Sequence, residues 1–343
     1  MQNKQKPEPK KKKKSVLIPV IIVVAVVAAI VAVIVKVSPK SLGLIKNSKI
    51  AKNKSGKANL KTPGKVGIDS IKKPFSKSKT VTVKQLNREI ETFAATLEKS
   101  KIKKDQFLKF AGDFNIAPTD DNFRKYIRAA LIFEATRDAG LWHIQWKITD
   151  KEPNSDHIWA QWKKSPCSDL LKIPTAYAEC DEISALFAFL MRKNGNLNTG
   201  LYWPTKNHTV AVWKLKSVEG KEVRVVIPTT QIFLNNRGLF GTNRFDPYKQ
   251  KEIYDYTRED ASLSTPLPAE LANFFIMQIY KYGGASEDTL QYLRGVREAI
   301  WVGTDFQSDA KKELESTLAN YRQNNADPAD IRALEYFRDE FLR

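Results

Sequence analysis

Two side chains in this 343-residue sequence have the type and spacing to do covalent chemistry together. Cys180 opens the stretch Cys180-Asp181-Glu182, and Ile183, Leu186, Phe187 and Leu190 then recur at helical spacing until Asn194-Gly195. A thiol at a helix N-terminus is favoured as thiolate, because unpaired backbone N–H groups and the macrodipole stabilise negative charge there. Asp181 and Glu182 partly oppose this effect, and a neighbouring imidazolium would more than compensate. His208 begins an alternating run, 208–215, which predicts a strand that can pack beside the start of the helix. A thiolate that attacks an acyl carbon needs a proton for the leaving amine, and the same histidine can deliver it. Cys180 and His208 are therefore the minimum set for acyl transfer.

The elements that must position this pair follow in order: a helix from Cys180, a short strand at 201–203, the strand from His208, and a β-branched strand at 223–227. Glu219-Gly220 predicts a two-residue hairpin turn between the last two strands. That turn pairs Val218 with Lys221 and sets Gln231 opposite His208, where its amide oxygen could hold the imidazole N–H. One turn residue more or fewer sets Thr230 there instead. An oxyanion hole needs two donors; the backbone N–H of Cys180 is one, and Gln161, Trp159 and Trp162 are the candidates for the other.

This ordered combination resembles the transglutaminase-like superfamily, the branch of papain-related folds that includes transglutaminases, some bacterial peptidases and peptide N-glycanases. The matching residues are Cys180 at its helix start, the helix exit Arg192-Lys193-Asn194-Gly195, the strand opening His208-Thr209-Val210-Ala211-Val212, and Val226-Ile227-Pro228-Thr229, where the family usually has Val-Asp-Pro-Thr. The resemblance covers about 60 of the 343 residues, and its warrant is the order of motifs, since no one of them is specific. It implies an α+β core, a helix packed on a small antiparallel sheet, with Cys180 as nucleophile and His208 as base. Two positions depart from the family pattern: Ala178 stands where a glycine is common, and Ile227 stands where an aspartate orients the histidine. An aliphatic side chain cannot accept a hydrogen bond.

Charge and composition say how such a core is carried. The 57 Lys and Arg against 38 Asp and Glu give +19, but the excess is concentrated at the front. Residues 1–14 hold seven Lys and one Glu, residues 15–37 only Lys36, and residues 38–80 twelve Lys against Asp69. The remaining 263 residues carry 37 basic and 36 acidic side chains, which argues against a nucleic-acid-reading face as the main theme. Residues 16–35 form an uninterrupted apolar run of 20 residues, about 30 Å long as a helix, the thickness of a bilayer's hydrocarbon core. No Ala-x-Ala cleavage pattern follows it, so a signal anchor is expected. The lysine block directly before it predicts a cytoplasmic N-terminus and an extracytoplasmic or periplasmic globular part at the cell membrane. Residues 38–80 read as a disordered, self-repelling Lys-rich linker that could hold anionic lipid or an anionic wall polymer, or act as a plain spacer. Sequons at Asn53 and Asn207 would allow glycans in a glycosylating host, and a bacterial envelope avoids a glycan beside His208.

Helical periodicity marks residues 81–150 and 266–343 as regions flanking a core at 151–265. Leu86, Ile90, Phe93 and Leu97 predict one helix; Phe107, Leu108 and Phe110 a second; and Phe123, Ile127, Leu131 and Phe133 a third that stops at Gly140. Asp327-Pro328 predicts a cap and first-turn proline for the last helix. Two cysteines exclude a disulfide framework and a four-thiolate zinc site, although a Cys167–Cys180 bridge would consume the nucleophile. His143 and His157 lack partners at zinc-ligand spacing, and Gly238-Leu239-Phe240-Gly241 lacks the ending of a phosphate loop, so no metal or cofactor is expected. The expected protein is a membrane-anchored thiol hydrolase or acyl transferase acting on an envelope protein or wall peptide. The alternative is a catalytically degenerate module of the same fold serving as a tethered scaffold.

Overall fold

A computed structural model describes residues 73–137, 140, 145–147, 163–164, 174–195, 197–205, 208–230, 241, 246–249, 254–255, 262–302 and 305–342. The apolar run 16–35, Cys167, Gln161, Trp159, Trp162, Gln231, His143, His157, Asn53 and Asn207 lie outside the described residues. Among the described residues, no helix is long and apolar enough to cross a membrane.

The described chain is mixed α+β, with eight helices and small, mainly antiparallel sheets. Its first part contains β1 (Thr80–Thr82), α1 (Val83–Leu97), α2 (Lys101–Asp113) and α3 (Asp120–Thr136). Its middle contains β2 (Gln145–Lys147), β3 (Lys163–Lys164), β4 (Pro174–Tyr177), α4 (Cys180–Lys193), β5 (Thr199–Thr205), β6 (His208–Lys216), β7 (Glu222–Ile227) and β8 (Tyr254–Asp255). Its last part contains β9 (Pro266–Pro268), α5 (Ala269–Tyr282), α6 (Glu287–Val302), α7 (Asp305–Gln323) and α8 (Pro328–Phe341).

The helices begin where side chains satisfy their free N–H groups. Thr82 and Gln85 cap α1 reciprocally: Gln85 Oε1 accepts the Thr82 N–H at 2.7 Å, and Thr82 Oγ1 accepts the Gln85 N–H at 3.2 Å. Ser100 and Thr119 cap α2 and α3, and Asp327 caps α8, accepting the Ala329 N–H at 2.8 Å. The helical spacing translates into burial of Leu86, Ile90 and Leu97 on α1, Phe107 and Phe110 on α2, and Phe123, Ile127 and Leu131 on α3. Leu108 is instead exposed. The third helix ends at Thr136, short of Gly140. Gly140 serves a different purpose from a cap: a Cβ there would stand 2.1 Å from the carbonyl oxygen of Glu134, so only glycine permits that close return of the chain.

One apolar core runs from Phe75 to Leu342, so the N-terminal helices, the central segment and the C-terminal helices share it. Strand β1 pairs antiparallel with β9, joining stretches nearly 200 residues apart in sequence. Between α3 and α6 the core encloses an ion pair: Arg294 donates to both oxygens of Glu134 at 2.9 and 3.0 Å, and both side chains are less than a tenth exposed. Burial works against the Glu134 carboxylate, but Arg294 and Arg137 hold its pKa below the ordinary value.

The central sheet has the order β7-β6-β5-β8 and is antiparallel throughout. The main core holds Ala211, Trp213, Val225 and Ile227 from one face of this sheet together with Ile183, Leu186, Phe187 and Leu190 of α4. The opposite face carries its own small buried cluster, Tyr202, Val210, Val212 and Val226. A separate three-stranded sheet, β2-β4-β3, leads into α4.

Candidate functional site

Cys180 is the first residue of α4, following the extended residue Glu179. The turn is held by its own carboxylates: Glu182 Oε2 accepts the Glu179 N–H at 2.6 Å, and Asp181 Oδ1 accepts the Glu182 N–H at 2.9 Å. These acidic groups suit the positive end of the helix dipole, which is why the sequence can start a helix here. The same charges act against a thiolate. Burial is the largest influence and pushes the Cys180 thiol upward; Asp181 and Glu179 add to it, while the backbone N–H groups of Thr209 and Asp181, directed at Sγ, pull the other way. The net direction is up, so at neutral pH Cys180 rests as a thiol.

The start of α4 is buckled to the sheet by hydroxyls. Ser184 Oγ lies 2.7 Å from the carbonyl oxygen of Cys180, 3.1 Å from that of Thr209, and 2.7 Å from Thr229 Oγ1. Ser184 has one hydrogen to donate to a carbonyl, so the Thr229 hydroxyl donates to Ser184. Ser184 and Thr229 are fully buried. This links the helix, β6 and the segment after β7 into one unit. The sequence carries one signal for this buckle, the Ser184 hydroxyl one helical turn after Cys180; Thr209 and Thr229 stand in it only as members of the matching motifs.

His208 is the first residue of β6, next to Thr209. It is 1% exposed, and burial lowers the pKa of its imidazole, so the neutral form is favoured. Side chains alternate along a strand. Position 208 therefore falls with Val210 and Val212, on the face away from α4, whereas Thr209, Ala211 and Trp213 fall on the α4 face. What meets Sγ from β6 is the Thr209 amide.

The hairpin differs from the two-residue turn expected at Glu219-Gly220. Ser217 and Lys221 close a three-residue loop, with the Ser217 N–H donated to the Lys221 carbonyl at 2.8 Å and Gly220 at φ +77°. Ser217 Oγ accepts the N–H groups of Glu219 and Lys221, and the Val218 N–H is held by Asn115 O, contacts that stabilise the longer loop. The resulting register pairs Lys216 with Glu222 and Ala211 with Ile227. Carried further, it sets Thr230 rather than Gln231 level with His208. The ladder itself stops at Ile227: Pro228 has no N–H to offer, and the Thr229 N–H turns back to Ile227 O at 3.0 Å. Thr230 is 1% exposed, and its hydroxyl has no hydrogen-bond partner among the described residues. Ile227, at the position where the resembled family has aspartate, is fully buried opposite Ala211.

Among the described residues Cys180 is a free thiol, and no three His, Cys, Asp or Glu side chains group as metal ligands. What the arrangement offers is a partly buried thiol at a helix start, held in its protonated form by burial. Comparison with known proteins found no matching family model, no matching curated protein and no matching solved structure.

Proposed function

We propose that this chain is a tethered, noncatalytic module with a transglutaminase-like core, held at a cell membrane by residues 16–35 and serving as an extracytoplasmic binding or scaffold unit. One observation carries the reading: on the sheet face that packs against α4, the directly paired positions are Ala211 and Ile227, two aliphatic side chains. A thiol-driven acyl transfer needs an imidazole that reaches both the thiol and a hydrogen-bond acceptor that orients it. The α4 face offers neither at these positions, and strand alternation assigns His208 to the other face. The order of α4 followed by an antiparallel β5-β6-β7 supports the core assignment, and the 20-residue apolar run supports the anchor.

A second reading, the thiol-dependent amide hydrolase or acyl transferase acting on an envelope protein or wall peptide, is favoured by Cys180 itself. It stands at a helix start, half-buried, with two amides on Sγ. Iodoacetamide labelling of the native protein across pH, with mass mapping of Cys167 and Cys180, separates the two. The noncatalytic reading expects Cys180 labelling to rise only on the alkaline side of the ordinary thiol range and to be unchanged in His208→Ala. Rapid labelling below pH 7 that disappears in His208→Ala would overturn it in favour of the enzyme. Labelling that appears only after reduction would identify a Cys167–Cys180 disulfide and remove the enzyme reading.

A further inference from the structure

We propose that the face at which the chain enters its folded unit is a docking surface for an anionic lipid bilayer; this rests on the membrane-anchor part of the reading above. The entry segment is fixed to the body. Phe75 is buried, its N–H is donated to Asn273 Oδ1 at 2.9 Å, and the Ser76 and Ser78 N–H groups close turns onto Lys73 and Phe75. Lys79 O then accepts the Ala269 N–H at 3.0 Å, and β1 pairs with β9. At the start of α1 the Val83 and Lys84 N–H groups are taken by Thr265 O and Leu263 O at 3.1 and 2.9 Å. Backbone donors are thus consumed internally, and what this face presents outward is side-chain charge.

That charge is predominantly positive. Lys73, Lys77, Lys79, Lys84, Arg88 and Lys193 are all exposed. Lys84 and Lys193 line one open cleft with Thr82, Ser262, Leu263 and Ser264, which brings the end of α4 beside the start of α1. Across residues 73–88, 193 and 262–270 the sole carboxylate is Glu270. Elsewhere Lys104, Lys125, Lys221 and Lys312 stand beside Asp120, Asp121, Glu219 and Asp309, while Lys99, Lys101, Lys109 and Lys311 are exposed with no ion pair among the described residues. None of the six cations of this face makes an ion pair among the described residues. Leu263, more than a third exposed, adds an apolar contact at the rim of the cleft.

The occupant follows from where the tether ends. The apolar run and Lys73 are separated by 37 residues, and a flexible chain of that length has an r.m.s. span of about 35 Å. On the anchor reading, a linker of that length keeps Lys73, where the described chain begins, within reach of the bilayer. Nine more lysines lie between residues 38 and 72, on the chain that leads to this face. A bilayer rich in phosphatidylglycerol supplies a continuous negative surface that draws juxtamembrane lysines, each gaining about a five-fold preference. Beyond a Debye length of about 8–10 Å the attraction is screened, so docking requires this face to meet the lipid directly.

The test uses the full chain in vesicles of phosphatidylcholine alone and of phosphatidylcholine with phosphatidylglycerol. Lysine acetylation rates are read by mass mapping, and insertion is checked by resistance to a high-salt wash. Lys84 and Lys193 are expected to be acetylated about five-fold or more slowly in the anionic vesicles, with the protection lost in high salt. Lys221 and Lys312, whose side chains are 79% and 80% exposed, should be unaffected. Lys193 is decisive, because it lies far from the tether in sequence. Equal rates in both vesicles, or equal slowing of all four lysines, would overturn the docking face while leaving the anchor intact. A chain that washes off both vesicles would overturn the anchor and the docking face together.

Discussion

Ala211 on β6 and Ile227 on β7 are direct cross-strand partners, fully buried against α4. Their methyl-rich contact is continuous with Trp213 and Val225 and with the apolar face of the helix that Cys180 begins. Neither side chain of the pair can donate or accept a hydrogen bond, so no proton relay from Cys180 runs through it. Cys180 is left with the Thr209 and Asp181 amides at Sγ and with burial that keeps it protonated.

Ile227→Asp is the sharpest probe of that environment. If position 227 is ordinary core, a carboxylate there is unpaired and desolvated, and urea denaturation should show a loss of at least about 3 kcal/mol. Ile227→Val should cost only about 1 kcal/mol. An Asp variant as stable as the Val variant would mean that a donor faces this position, and the enzyme reading would regain its third residue.

The hydroxyl buckle predicts a coupling. Ser184→Ala leaves the buried Thr229 hydroxyl without the acceptor it uses, at a cost of about 1–3 kcal/mol. Thr229→Val alone should cost a similar amount, and the double variant clearly less than the two together. Additive losses in a double-mutant cycle by chemical denaturation would show that the 2.7 Å contact is not energetically a pair.

Glu134 predicts an acid-side loss of stability. Its folded pKa lies below the ordinary value, held there by Arg294 and Arg137. The stabilisation is therefore complete above the unfolded carboxylate range and is lost as pH falls through the folded pKa. Glu134→Gln should lower stability at neutral pH by about 1–3 kcal/mol, because Arg294 loses one of its two carboxylates and keeps Glu287. It should also flatten the decline below about pH 4. A variant whose stability matched the parent at neutral pH while keeping the same acid limb would show that the pair contributes little.

The sequence by itself determined the local elements. Helix α1 follows from Leu86, Ile90 and Leu97 with Thr82 and Gln85 before them, and β6 and β7 follow from alternation and β-branching. These features are legible because side-chain period and end-capping act within a few residues. The same reach explains what local patterns left open. The three-residue loop after Ser217 is held by Asn115 and the bridge from Ile116 to Ser217, contacts from a distant segment. Its third residue changes which side chains of β6 and β7 stand opposite one another, and so pairs Ala211 with Ile227 at the last rung of the ladder. Motif order could bring Cys180 and His208 into the same neighbourhood. Which face of the sheet each one serves depends on how α4 packs, and packing is a property of the assembled core.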